Sequence, residues 1–84
     1  MQAHVKNYLE YYGYTPGDVI LCERCKSKAS DIHHIQYRSH FGTKKAVERD
    51  NVKNCIALCR ECHTAAHEEK ISKEELQNIH DQNL

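Results

Sequence analysis

With 84 residues, 39% of them hydrophobic and no tryptophan, the chain has material for one small domain and little for an extensive core. A core of that size gives marginal stability, so a metal or covalent staple is expected. The formal net charge is zero, which sits badly with a nucleic-acid partner held by bulk charge alone, and no apolar run approaches the ~20 residues of a membrane helix. The opening segment, residues 1–6, lacks the basic start and apolar stretch of a secretory signal. A reducing, cytoplasmic setting is therefore expected, in which paired cysteines bind metals rather than form disulfides.

The elements follow in order. Val5, Tyr8, Leu9 and Tyr12 recur at helical spacing, which predicts an amphipathic helix over residues 2–12, ended by Gly13, Pro16 and Gly17. The apolar face of that helix has to pack on its own domain or on a second copy. Val19-Ile20-Leu21 reads as a short strand entering a cysteine knuckle, Ser30–Gln36 as a strand and 37–50 as a loop. Val52–Leu58 reads as a second strand, and from Cys59 the spacing changes to a helix running to about residue 70. Ser72-Lys73-Glu74-Glu75 is a capping-box pattern that starts a last helix through Leu76 and Ile79. One domain over 1–84 is expected: an N-terminal helix and turn (1–17), a stapled middle (18–70) and a C-terminal helix (71–84).

The staple is written in the cysteines. Cys22-Glu-Arg-Cys25 and Cys59-Arg-Glu-Cys62 stand 33 residues apart. A two-residue spacer lets both sulfurs of a pair reach one ion at ~2.3 Å, so the two pairs predict one tetrahedral structural Zn²⁺ with no open position. Two disulfides or a redox pair are the alternatives. Cys55, the fifth cysteine, stands in the apolar run Cys55–Leu58 and reads as a small buried hydrophobe.

The histidines ask for something else. His63 and His67 are four apart on the expected helix, so their imidazoles share a face and can share a metal. His33 and His34 are adjacent on a strand, so they face opposite ways and cannot normally hold one ion. Two roles fit them: one ligand, and one general base working near its natural pKa. Asp31 is a weaker candidate ligand, better read as a hydrogen-bond acceptor. His4, His40 and His80 have no supporting context and read as surface residues.

Asp31-Ile-His33-His34-Ile35, followed by Asn51-Val-Lys-Asn54-Cys-Ile-Ala-Leu58-Cys59-Arg-Glu-Cys62-His63-Thr-Ala-Ala-His67, resembles the HNH endonucleases, in the form whose ββα-metal (His-Me finger) motif is bracketed by two CxxC pairs. The resemblance spans residues 22–67. It implies a small α+β zinc domain with a ββα-metal core, flanked by short helices. It further implies that His34 is the general base, Asn54 the middle asparagine that holds the loop, and His63 and His67 the helix ligands. Position 33, commonly aspartate in the family, is histidine here and becomes the third ligand. The glycine- or proline-rich stretch that often follows the first histidine is replaced by Gln36–Gly42.

The implied activity is metal-assisted hydrolysis of a phosphodiester, with DNA as substrate, RNA possible, and little sequence preference. The implied cofactors are structural Zn²⁺ and a catalytic divalent ion (Mg²⁺, Mn²⁺ or Ni²⁺), and the resemblance is to small stand-alone proteins of bacteria and phages. Charge is uneven: residues 36–54 carry a local +3 and residues 68–84 a local −3. Arg38, Lys44 and Lys45 in the basic stretch are candidate phosphate contacts, and a divalent ion on neutral imidazoles makes the site itself positive. Specificity then comes from a partner or a homodimer. The competing reading is a non-catalytic zinc module that binds nucleic acid or protein.

Overall fold

The computed structural model describes residues 2–15, 17–36 and 46–84. The basic stretch with Arg38, Lys44 and Lys45, together with His40, lies outside the described residues. Helix α1 (Ala3–Tyr12) leads to strand β1 (Asp31–His34), a single turn α2 (Ala46–Arg49), a 3-10 turn (Val52–Asn54), strand β2 (Cys55–Leu58), helix α3 (Arg60–His67) and helix α4 (Lys73–Asn83). Among the described residues, no helix is long and apolar enough to cross a membrane.

Helix α1 buries Tyr8 and Leu9, and so packs its apolar face on its own domain. It stops at Gly13, whose φ of +74° suits glycine, while Tyr14 N–H reaches back to the Leu9 carbonyl at 2.9 Å. That is the backbone pattern by which glycine closes helices. The strand expected over Val19–Leu21 shrinks to one bridge, Leu21 to Lys28, because the chain reverses at once into the first knuckle. There Cys22 N–H donates to the Ser27 carbonyl at 2.7 Å, and Lys26 takes φ of +68°.

Strands β1 and β2 pair antiparallel, with Asp31 opposite Leu58, Ile32 opposite Ala57, His33 opposite Ile56 and His34 opposite Cys55. All four residues of β2 are buried, since both faces of the ribbon are covered. Ile56 and Leu58 join Cys22, Ile35, Ala66, Ile71 and Leu76 on one side. Cys55 and Ala57 join Tyr8 on the other. The alternation of a strand thus divides the core in two, with α3 and α4 on one face and α1 on the opposite one. Burial pushes the Cys55 thiol up to about 12, so it stays a neutral apolar group. The second strand starts at Cys55 rather than Val52, because Asn51 caps a 3-10 turn by accepting Lys53 N–H at 2.9 Å.

Helix α4 begins as its capping box requires, with Ser72 Oγ accepting Glu75 N–H at 3.0 Å. His80 on this helix is no surface residue: its exposure is 0%. Its Nδ1 lies 2.8 Å from the Glu23 carboxylate and its Nε2 lies 2.6 Å from the Val52 carbonyl. Both partners are acceptors, so both ring nitrogens must donate and His80 is an imidazolium. Burial opposes that charge, but Glu23 and Val52 outweigh it and raise the pKa. Glu23 also accepts from Tyr8 Oη at 2.7 Å, Asn83 Nδ2 at 3.1 Å and Ala57 N–H at 3.3 Å. One carboxylate inside the first CxxC therefore ties α1, β2 and α4 to the knuckle.

Candidate active site

The four knuckle cysteines come together, each with its sulfur within 4.8 Å of the other three, and Cys25 and Cys59 lie 3.5 Å apart. Zinc–sulfur bonds of ~2.3 Å in a tetrahedron put sulfurs ~3.8 Å apart, so the donor set fits Zn²⁺. The surroundings favour thiolates. Hydrogen bonds from Ser27, then from Cys59, bring Cys25 down to about 6. Cys59 caps α3 by accepting Cys62 N–H at 3.4 Å, which lowers its thiol as well. Burial pushes Cys62 up to about 12, against the Arg24 guanidinium 3.7 Å from its sulfur.

One turn further along α3, His63 and His67 present their Nε2 atoms to each other at 2.9 Å. His33 reaches them from β1, with ring centroids 5.0 Å from His63 and 5.2 Å from His67. The three side chains each offer a nitrogen within 4.8 Å of the others. Asp31 accepts His63 Nδ1–H at 3.1 Å, which fixes the tautomer and leaves Nε2 with its lone pair. Burial, then the two neighbouring rings, bring His33 down to about 4, so its imidazole is neutral at ordinary pH. Three imidazoles, one with a carboxylate behind it, fit a divalent transition ion and leave coordination positions open.

His34 points the other way, onto the face covered by α1. Its Nε2 lies 3.0 Å from Asp50 Oδ1. Arg49 binds both Asp50 oxygens at 3.0 Å, and with His34 it holds the carboxyl below the usual carboxylate range. The ring of His4 packs against His34, tilted by 38° with centroids 4.1 Å apart, and His4 Nε2 donates to the Ile32 carbonyl at 3.1 Å. Burial, then His34, lowers the His4 pKa. His4, His33, His34, His63 and His67 all line one cleft of about 340 Å³.

Asn54 stands behind this site. Its Oδ1 accepts Gln36 N–H at 2.8 Å, and its Nδ2 donates to Arg49 O at 2.8 Å and Gln36 O at 3.2 Å. It clamps both ends of segment 36–49 together, and so sets where Asp50 meets His34.

Asp50 and His4 had no role in the sequence reading. Nothing in the spacing marks Asp50, which follows His34 by sixteen positions. His4 did carry a signal: it precedes Tyr8 by one helical turn and shares the buried face of α1.

No curated protein and no solved structure matches the chain. The HNH endonuclease family model matches residues 22–69, from the first knuckle cysteine to just past His67. That is more than half of the 84 residues, and the chain belongs to the HNH endonuclease family.

Proposed function

We propose that the protein is a metal-dependent endonuclease that hydrolyses DNA phosphodiesters with little sequence preference, and that β1, β2 and α3 form its ββα-metal core. The observation that carries this reading is the opposed pair on β1. His33 turns to two helix imidazoles, His34 turns to a carboxylate, and both line the same cleft.

His34 is the general base. Asp50 accepts its Nε2–H and leaves the lone pair on Nδ1, which takes the proton from water as the water attacks phosphorus. The imidazolium that forms is stabilised by the same carboxylate, and Arg49 keeps that carboxylate ionised and aimed. Asn54 is a positioning residue that holds this pair in register. His33, His63 and His67 would hold a divalent ion (Mg²⁺, Mn²⁺ or Ni²⁺), with Asp31 orienting His63. Such an ion, when bound, supplies Lewis-acid stabilisation of charge on the phosphate and leaving oxygens. The Cys22, Cys25, Cys59 and Cys62 set would hold structural Zn²⁺, and through Cys59 and Cys62 would tie the start of α3, and with it the histidine turn, to the first knuckle. Arg38, Lys44 and Lys45 supply phosphate contacts from the basic stretch.

The test is nicking of supercoiled plasmid by the zinc-loaded chain with each of the three ions, beside His34→Ala and a single-stranded RNA of the same length scale. Expected is metal-dependent open-circle product that falls by about 10²–10⁴-fold in His34→Ala. Unchanged cleavage by a folded His34→Ala would overturn the assignment of the base. Faster cleavage of the RNA would overturn DNA as the substrate.

A further inference from the structure

The family match starts at residue 22, yet α1 delivers a side chain to the middle of the site. His4, His34 and Asp50 each place one nitrogen or carboxylate oxygen within 4.8 Å of the other two. They line a cleft of about 400 Å³ with Gln2, Ala3 and Arg49. Two imidazoles and a carboxylate are a sufficient donor set for Zn²⁺, with a fourth position left open.

The groups behind these donors are arranged as a metal site needs. A ligating histidine is oriented when its other ring nitrogen donates to a carbonyl, and His4 Nε2–H does so at the Ile32 oxygen, leaving the lone pair on Nδ1. Asp50 accepts from Arg49 Nε and Nη2 at 3.0 Å, which fixes its carboxylate in place. Its 3.0 Å separation from His34 Nε2 is a few tenths of an ångström short of the ~3.3 Å that bonds of ~2.0–2.1 Å span at the tetrahedral angle, so a small shift lets the two donors share one ion.

We propose that His4, His34 and Asp50 form a second transition-metal site, distinct from the His33–His63–His67 cluster, and that Zn²⁺ bound there switches the nuclease off. The inhibition rests on His34 being the general base, as argued above, and the chemistry then follows from proton count. A neutral imidazole has one N–H and one lone pair. When the ion takes Nε2, the proton that Nε2 donated to Asp50 moves to Nδ1, and the ring keeps no lone pair for water. No proton leaves the ring, and its capacity as a base is gone.

The test uses the full chain with its cysteine site already loaded. Bound zinc per chain is counted by equilibrium dialysis against Zn²⁺ for the wild type, for His4→Phe, which keeps a ring against His34, and for His4→Ala. Plasmid nicking with Mg²⁺ is then titrated with Zn²⁺, each variant being normalised to its own zinc-free rate. Expected is one zinc equivalent fewer in both variants, and a Zn²⁺ concentration for half-inhibition raised by about tenfold or more. An equal zinc count in the wild type and both variants would overturn the site. A lower count with unchanged inhibition would overturn its regulatory role. If no variant cleaves with any ion, the nuclease reading fails and the inhibitory role falls with it, while the zinc count still decides the site.

Discussion

Helix α3 carries two clusters one turn apart, and they differ in everything but proximity. At its N-terminus the cysteines are mostly buried, and backbone N–H, serine and arginine donors serve their sulfurs. On the next turn, half-exposed His63 and exposed His67 stand with His33 along an open cleft. The first set is gripped by neighbouring donors of the fold; the second faces the cleft. In a small chain with little core, a zinc ion on the cysteines would hold the neighbouring histidine turn in a geometry that packing alone would leave loose.

The comparison breaks most decisively at the cysteines. Cys59→Ser, or zinc removal by a chelator, is expected to unfold the chain, because structural zinc supplies on the order of 10 kcal/mol in domains of this size. Far-UV circular dichroism before and after chelation checks this, and an unchanged spectrum would place the stability elsewhere.

Next comes the buried pair behind the first knuckle. His80→Gln leaves the Glu23 charge without its cation, a loss of about 3–5 kcal/mol in thermal or urea unfolding. The pH dependence has a definite sign. The folded-state pKa of His80 is raised above the ordinary 6.5, so its contribution is complete below about that value. It is lost as pH rises through the raised folded pKa. The stability gap between wild type and His80→Gln should therefore narrow on going from acid to alkaline buffer, and a gap that widens would contradict the imidazolium.

Asn54→Ala removes three hydrogen bonds from a residue 7% exposed, at about 1 kcal/mol each. Cleavage should fall together with stability, because Asp50 loses its register with His34. Full cleavage at reduced stability would confine Asn54 to the fold. The smallest effect separates two tyrosines on one helix. Tyr8→Phe strips a donor from Glu23 and should cost about 1–3 kcal/mol, whereas the buried Tyr12 hydroxyl has no partner among the described residues, so Tyr12→Phe should be neutral or slightly stabilising.

Much of this was legible in the sequence where signals are local. The CxxC spacing, the Ser72 capping box, Gly13 and the alternation that parts His33 from His34 all follow from a few neighbouring residues. What stayed hidden was settled by tertiary placement. Val52–Asn54 reads as strand by composition and turns into 3-10 helix because Asn51 caps it. Ala46–Arg49, within the stretch 37–50 expected as loop, form the helical turn α2. His80 and His4 read as surface residues, yet each sits one turn from a buried residue, Leu76 and Tyr8, on the same helix face. Histidine on an apolar stripe is more informative than histidine in isolation. Asp50 had no such flag, since its partner stands sixteen positions away in the sequence.

The division between staple and working site is most directly tested by measuring bound zinc, thermal stability and plasmid nicking together in His67→Ala. His67 is exposed and lies on the working side of α3, so the cysteine-held zinc and the melting temperature should match the wild type while metal-dependent nicking is lost. Loss of the tightly held zinc, or nicking at the wild-type rate with full ion dependence, would contradict it.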